Sequence, residues 1–208
     1  SLSAETYDCI ILTQTLHLID DMAAVIAECH RLLKPGGVLL ATLPSASRVC
    51  VEYGYDDAGF SGGMVLLQQL DADEMISDAR AALRYLRGRP DATGKVGATG
   101  FCIGGHMTYL TACETDVAAA ASFYGGGIAA PQAPGGKPST IGRTGKIKSK
   151  ILCLFGEKDG FIPLSQVDEI RAALDKAVVD HEVVVYPGAD HGFFCDQRAT
   201  YQKEAAED

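Results

Sequence analysis

The sequence has no apolar stretch long enough to cross a membrane and no excess of basic residues. Its 208 residues carry 18 Lys and Arg against 27 Asp and Glu, a formal net charge of -9. An acidic surface repels phosphate backbones and anionic lipid headgroups, which argues against nucleic acid and membrane partners. A small-molecule ligand is the expectation that remains, and the oligomeric state is left open.

Closely spaced cysteines are also absent, although the chain contains seven cysteines. The number is odd, the positions are scattered and no C-x-x-C pair occurs, which favours free thiols over a disulfide framework. Residues 1–5 lack the basic and then apolar pattern of a signal peptide. A cytoplasmic location is therefore expected.

Neither of the two common phosphate-binding loops, G-x-x-x-x-G-K-[ST] and G-x-G-x-x-G, occurs in the sequence. Histidines, cysteines and acidic residues show no metal-ligand spacing, and His17, His30, His106 and His181 are interpreted as packed or solvated side chains. We therefore expect no cofactor and no metal.

Strand-like and helix-like segments alternate along the chain, which predicts a mostly parallel α/β sheet with helices on both faces in a single domain, residues 1–208. Residues 125–146, rich in Gly, Pro and Ala, are predicted to form a long surface loop. The helix predicted at 165–178 has a capping-box-like start, with Ser165 followed three residues later by Asp168. The predicted strands are residues 7–13, 38–43, 95–99, 117–124, 151–155 and 182–186, and the predicted helices include 20–33, 71–86 and 165–178.

The motif Gly100-Phe101-Cys102-Ile103-Gly104-Gly105 lies between a predicted strand and a predicted helix. It has the pattern of a nucleophile elbow with cysteine in place of serine. The helix N-terminus favours a thiolate at Cys102, and the Ile103 N–H would face a developing oxyanion. The alternative is a buried structural cysteine at a strand-to-helix turn, but the context favours the nucleophile.

A nucleophile of this kind needs a base and a carboxylate that orients the base, in the chain order nucleophile, acid, histidine. Asp159 follows the strand predicted at 151–155, and His191 follows the last strand, so both are predicted at the carboxyl edge of the sheet. Glu157 is an alternative to Asp159, and each residue could instead be an ordinary loop residue. Their order after the appropriate strands favours a catalytic role.

From about residue 51 to 208 the chain resembles the dienelactone hydrolase family. The resemblance rests on five stretches, LLQQLD at 66–71, GKVGATGFCIGG at 94–105, SFYGG at 122–126, FGEKD at 155–159 and YPGADHGFF at 186–194. It implies an α/β-hydrolase-like fold and carboxymethylenebutenolidase-like opening of a small ester or lactone. It also implies that Cys102, Asp159 and His191 act without a cofactor.

Residues 1–44 resemble a different family, the C-terminal half of class I S-adenosylmethionine-dependent methyltransferases. This resemblance rests on TYDCIIL at 6–12, RLLKPGG at 31–37 and VLLAT at 38–42. The Gly-rich cofactor loop of that family is missing, so methyl transfer is not expected. A strand–helix–strand unit of this kind could occupy the equivalent place in a hydrolase sheet, which suggests a chimera, natural or engineered.

The foreign segment would also supply part of the active site. Placing residues 10–13 on the family's strand makes Thr15 the second oxyanion donor, and Gln14 would stand where the family usually has a glutamate beside the thiol. The family's substrate-binding arginines have no secure match, and Arg48 and Arg198 are only nearby candidates. Two hypotheses follow: a cysteine hydrolase weakened by the replacement, or a folded but inactive scaffold.

Overall fold

The central element is a six-stranded parallel sheet, seen in a computed structural model that describes residues 7–13, 31, 33–42, 62, 65, 67, 69–90, 94–131, 139–196 and 198–208. The strand order is β2-β1-β3-β4-β5-β6, and every pairing among the described strands is parallel. The predicted mostly parallel α/β fold is confirmed. The strands are β1 Tyr7–Thr13, β2 Leu33–Thr42, β3 Gly97–Phe101, β4 Ala119–Phe123, β5 Lys150–Gly156 and β6 His181–Tyr186.

Four α-helices are described over their whole length: α1 Ala72–Arg87, α2 Ile103–Glu114, α3 Leu164–Lys176 and α4 Lys203–Glu207. Helix α1 begins where the Asp71 carboxylate accepts the backbone N–H groups of Asp73 and Glu74, at 2.8 and 3.2 Å. Its buried face includes Leu83 and Leu86, as the helical spacing of apolar residues predicts. Among the described residues, no helix is long and apolar enough to cross a membrane.

The strand order places the functional loops at one edge of the sheet. Helices α1, α2 and α3 connect strands in the same direction across the sheet, so right-handed crossovers place them on one face. In the connection between β1 and β2, Arg31 is the described residue, and it is helical. Because all strands are parallel, the segments after β1, β3, β5 and β6 emerge at the same carboxyl edge.

The second strand differs from its prediction. The helix predicted at 20–33 and the strand predicted at 38–43 are wrong at their junction, because β2 begins at Leu33. Its register with β1 shifts between the pairs Tyr7–Leu33 and Cys9–Val38. Pro35, Gly36 and Gly37 are poor ladder residues, so they produce an irregularity within the strand instead of ending a helix.

Two further predictions fail in the second half of the chain. Part of the predicted surface loop 125–146 is a 3₁₀ helix, Thr140–Lys146, and Ile128 and Thr140 are almost fully buried. Helix α3 has Pro163 at its N-cap, and no side chain caps it, so the predicted capping box at Ser165 is wrong. Ser165 already lies inside the first turn, where its hydroxyl is not in the capping position.

The core lies between the sheet and the layer of α1, α2 and α3, and it reaches the carboxyl edge of the sheet. Tyr109, Phe155 and Phe193 are each fully buried. Phe193 lies two residues after His191, so its buried ring anchors the loop that carries the histidine. Rigid placement of that loop therefore follows from core packing.

Candidate active site

Cys102 occupies a sharp turn between β3 and α2. Its φ of 56° and ψ of -121° lie in a region that residues other than glycine rarely adopt, which marks a strained position. Its backbone N–H donates to the Phe123 carbonyl oxygen at 3.0 Å and ties the turn to the end of β4. A Cβ on Gly105 would lie 2.4 Å from that same carbonyl oxygen, so the tight turn requires glycine at 105.

A second close approach joins the loops after β5 and β6. A Cβ on Gly156 would lie 2.4 Å from the Ala189 carbonyl oxygen, and this glycine allows the two backbones to touch. The Lys158 N–H donates to the same Ala189 oxygen at 2.8 Å. Asp159 and His191 are brought together by this contact between their loops.

The three side chains predicted as nucleophile, base and acid form one hydrogen-bonded chain. His191 Nε2 lies 3.1 Å from Cys102 Sγ, and His191 Nδ1 lies 2.8 Å from Asp159 Oδ2. The carboxylate can only accept, so Nδ1 carries its hydrogen and Nε2 faces the sulfur. The Asp159 side chain is completely buried, and its other oxygen, Oδ1, accepts the N–H groups of Phe161 and Ile162.

The electrostatics of this chain favour an ion pair between sulfur and imidazole. Burial alone would raise the pKa of Cys102, but the hydrogen bond and charge of His191, with the Ile103 N–H and the Arg198 charge, lower it below its ordinary value. Burial lowers the pKa of His191, but hydrogen bonds and charges from Asp159 and Cys102 outweigh it and raise this pKa to about 9. Both shifts favour the thiolate and imidazolium forms of the pair.

Glu157, the alternative to Asp159, has a different role in the structure. It is exposed, and its carboxylate accepts the Gly188 N–H at 2.8 Å. This contact joins the loops after β5 and β6 from the solvent side. The carboxylate that touches His191 is that of Asp159.

The remaining predicted residues lie either close to Cys102 or outside the described residues. Arg198 is exposed and close enough to Cys102 to lower the pKa of its thiol. Thr13, the last residue of β1, pairs with Gly100 in the elbow motif, so β1 ends beside the turn. Gln14, Thr15 and Arg48 lie outside the described residues, as do His17 and His30.

Sequence reasoning assigned no role to the aromatic side chains around His191. Tyr124, at φ 36° and almost fully buried, has its ring 5.2 Å from the imidazole, and the exposed Phe161 ring lies at the same distance. Tyr124 belongs to the SFYGG stretch and Phe161 lies two residues after Asp159, so the motifs marked both segments without indicating these contacts. Among the described residues, no cluster of His, Cys, Asp and Glu could hold a metal ion.

His106 is a packed residue, as predicted, and it connects three segments behind the elbow. Its Nδ1 lies 2.9 Å from the Gly126 carbonyl oxygen, so this nitrogen donates, and Nε2 accepts from the Thr140 hydroxyl at 3.0 Å. Burial lowers the pKa of His106 to about 4, although the Gly126 hydrogen bond partly opposes this. The neutral ring is the form that fits the site.

Acid is expected to destabilise the protein through His106. The pKa of His106 is about 4 when folded and about 6.5 when unfolded, so unfolding takes up a proton between these values. Its stabilising contribution is complete above about pH 6.5 and falls by about 3 kcal/mol as pH drops to 4. Urea unfolding of wild type and His106→Asn at several pH values would measure how the free energy of unfolding of each depends on pH. We expect a steeper loss between pH 6.5 and 4 in wild type; the same pH dependence in both proteins would contradict the expectation.

Two family profiles match the chain, and its relatives carry related names. Residues 54–208 match the Dienelactone hydrolase family, and residues 1–41 match the family described as Methyltransferase domain. A Synechocystis protein provisionally named a carboxymethylenebutenolidase is 38% identical over 205 residues, covering 97% of this chain and 82% of that protein. A similarly named Saccharolobus solfataricus protein is 34% identical over 145 residues, and the match covers 70% of this chain but 51% of that protein. The chain thus spans about half the length of that second relative.

Solved structures agree with the sequence matches. A Klebsiella pneumoniae protein provisionally named a dienelactone hydrolase has a TM-score of 0.76 and 26% identity, covering 100% of this chain and 83% of that one. A dienelactone hydrolase-like promiscuous phosphotriesterase from metagenomic libraries has a TM-score of 0.64 at 20% identity, covering 96% of this chain and 80% of that one, which shows a common fold. Both resemblances drawn from sequence are confirmed as matches, and with its profile matched over residues 54–208 the chain belongs to the dienelactone hydrolase family.

Proposed function

We propose that this protein hydrolyses small esters or lactones, with Cys102 as nucleophile, His191 as base and acid, and Asp159 as the carboxylate that orients His191. The observation that carries the proposal is the continuous contact from sulfur to imidazole to carboxylate, at 3.1 and 2.8 Å. A thiolate held beside an imidazolium is a ready nucleophile at neutral pH.

The reaction follows from the positions of these atoms. Cys102 Sγ attacks the carbonyl carbon, and the negative charge moves to the carbonyl oxygen, which the Ile103 N–H can stabilise. The tetrahedral intermediate collapses, the C–O bond breaks, and His191 Nε2 gives its proton to the departing oxygen. The product is a thioester on Cys102 and a free alcohol; from a lactone, the hydroxyl remains on the acyl chain.

Water completes the cycle. Neutral His191 removes a proton from a water molecule, whose oxygen attacks the thioester carbonyl carbon. The C–S bond then breaks, which releases the carboxylic acid and returns the thiolate with its imidazolium partner. Asp159 keeps the Nδ1 hydrogen in place throughout, so Nε2 remains available for each proton transfer.

The leaving group limits the substrates to esters and lactones. A thiolate leaves a tetrahedral centre more readily than an amine anion, so an intermediate formed from an amide returns to starting material. An alkoxide that takes the proton of His191 competes better with the sulfur. The names of the Synechocystis and Saccharolobus relatives support the same class of reaction.

Residues 1–208 are proposed to form one α/β domain in which the methyltransferase-like segment supplies a strand–helix–strand unit. Strand β1 pairs with β2 on one side and with β3 on the other, which supports a continuous sheet. The separate match of residues 1–41 supports a recombined origin. The alignment of the Synechocystis relative over 97% of the chain supports the other origin, in which both parts belong to one natural protein. On either origin, Thr15 follows β1 and remains our proposed second oxyanion donor, with Gln14 as the thiol partner.

Free thiols support a reducing, cytoplasmic location as part of the same proposal. Within the described ranges, Cys102, Cys113, Cys153 and Cys195 are all unpaired. Burial raises the pKa of both Cys113 and Cys153 to about 12, so these two thiols are unreactive. Cys102 is set apart from them by its lowered pKa.

A covalent trapping experiment tests the proposal. We expect limiting iodoacetamide to alkylate Cys102 before the other cysteines, and a chromogenic acetate ester to leave an acetyl group on the same residue. Peptide mass spectrometry after acid quenching would locate both groups. First labelling of Cys195 or Cys50 would contradict the assignment, and the absence of both acylation and turnover would favour the inactive scaffold.

A further inference from the structure

Phe161 places an exposed aromatic ring directly beside the reacting side chains. Its side chain is 65% exposed, and its ring centre lies 5.2 Å from that of His191, with the planes at 69°. Single exposed apolar side chains are common on protein surfaces, so the feature that distinguishes this ring is its contact with His191. The ring thus provides an apolar surface next to the imidazole.

The position of this ring is fixed by the same carboxylate that orients His191. Asp159 Oδ1 accepts the Phe161 N–H at 2.9 Å and the Ile162 N–H at 3.2 Å. The Ile162 side chain is buried in the core and anchors the backbone immediately after Phe161. Although exposed, the Phe161 ring therefore extends from a firmly held backbone.

The proposed reaction determines which part of a substrate meets Phe161. His191 gives its proton to the departing oxygen, so the alcohol portion of the ester must lie beside the imidazole. Tyr124 packs against His191 from the interior and is almost fully buried, while Phe161 contacts it from the solvent side. The alcohol portion therefore lies next to the Phe161 ring.

A second partly exposed ring packs against Phe101 and Phe123, the last residues of β3 and β4. Phe194 is 40% exposed, and its ring centre lies 5.0 Å from that of Phe101 and 5.3 Å from that of Phe123. Partly or largely exposed aromatic rings thus lie both beside His191 and near the Cys102 turn.

We infer that Phe161 is a specificity-determining residue that packs against the alcohol portion of the substrate and selects aryl esters over small alkyl esters. The inference rests on the proposed function, since it assigns the leaving group to the His191 side. The His191 imidazole and the Phe161 ring form two sides of the position for the leaving group, so the inference requires no third residue there.

The kinetic test compares phenyl acetate with ethyl acetate in wild type, Phe161→Ala and Phe161→Tyr. For Phe161→Ala we expect kcat/KM to fall about tenfold for phenyl acetate, chiefly through KM, and no more than about twofold for ethyl acetate. Phe161→Tyr keeps the ring and should restore most of the loss. Tyr85→Ala, which removes an exposed ring on α1 outside the site, is the matched control and should leave kcat/KM unchanged for both esters.

A binding measurement separates this inference from the proposed function. Saturation-transfer NMR on Cys102→Ala should show phenyl acetate bound, and the signal should weaken in Cys102→Ala/Phe161→Ala. If wild type hydrolyses neither ester, the proposed function fails, but the NMR comparison still decides the role of Phe161. Equal losses on both esters, or an unchanged NMR signal without the ring, would overturn the inference.

Discussion

Replacing Cys102 by alanine is expected to abolish ester hydrolysis. No other described thiol lies within hydrogen-bonding distance of His191, and the contact to Cys102 Sγ is 3.1 Å. Loss of the nucleophile in a hydrogen-bonded triad removes about four or more orders of magnitude in turnover. Steady-state hydrolysis of p-nitrophenyl acetate by the purified variant, corrected for the rate in buffer, measures the effect.

The same variant gives a second signal that does not depend on turnover. The hydrogen bond and charge of Cys102 help to raise the pKa of His191, so this pKa should fall from about 9 in Cys102→Ala. NMR titration of the imidazole would show the change. Cys195→Ala is the matched control, because Cys195 is a half-buried free thiol two residues after Phe193, and both activity and the titration should be retained. Wild-type activity in Cys102→Ala would refute the nucleophile assignment.

The extent to which the site could be predicted depends on how local its determinants are. Cys102 was predictable because the turn needs a particular string of small residues, and the structure shows why Gly105 must lack a side chain. The three residues occur along the chain in the order nucleophile, acid, histidine, and each follows a strand. This order predicted that Asp159 and His191 lie with Cys102 at the carboxyl edge of the sheet, where the structure has them in contact. These features depend on short motifs and on the parallel topology.

Features that depend on contacts between distant segments were not predictable. The choice between Asp159 and Glu157 is made by the touching backbones of Gly156 and Ala189, which turn one carboxylate inward and the other toward Gly188. The 3₁₀ helix Thr140–Lys146 lies in a stretch of loop-like composition, and its buried Thr140 hydroxyl meets His106 from α2. Tertiary packing overrides local composition in such segments.

Asp159→Asn is expected to reduce turnover by about ten-thousandfold while the protein remains folded. The Oδ1 atom of Asp159 accepts two backbone N–H groups, so the amide oxygen of asparagine must take that side. The amide nitrogen then faces His191 Nδ1, and two donors cannot pair. Nδ1 must lose its hydrogen, which moves the ring proton to Nε2, where it blocks deprotonation by that atom.

Kinetics and thiol chemistry together test this tautomer argument. Without the Asp159 carboxylate, the pKa of His191 should fall, and alkylation of Cys102 at neutral pH should slow together with kcat. Glu157→Gln is the matched control, because it changes a carboxylate two residues away that contacts the Gly188 N–H instead of His191. We expect it to keep hydrolysis within about twofold, since surface substitutions of this kind have small effects. If Glu157→Gln instead lost activity and Asp159→Asn kept it, Glu157 would be the acid, and the loop contact at Gly156 would have to rearrange during the reaction.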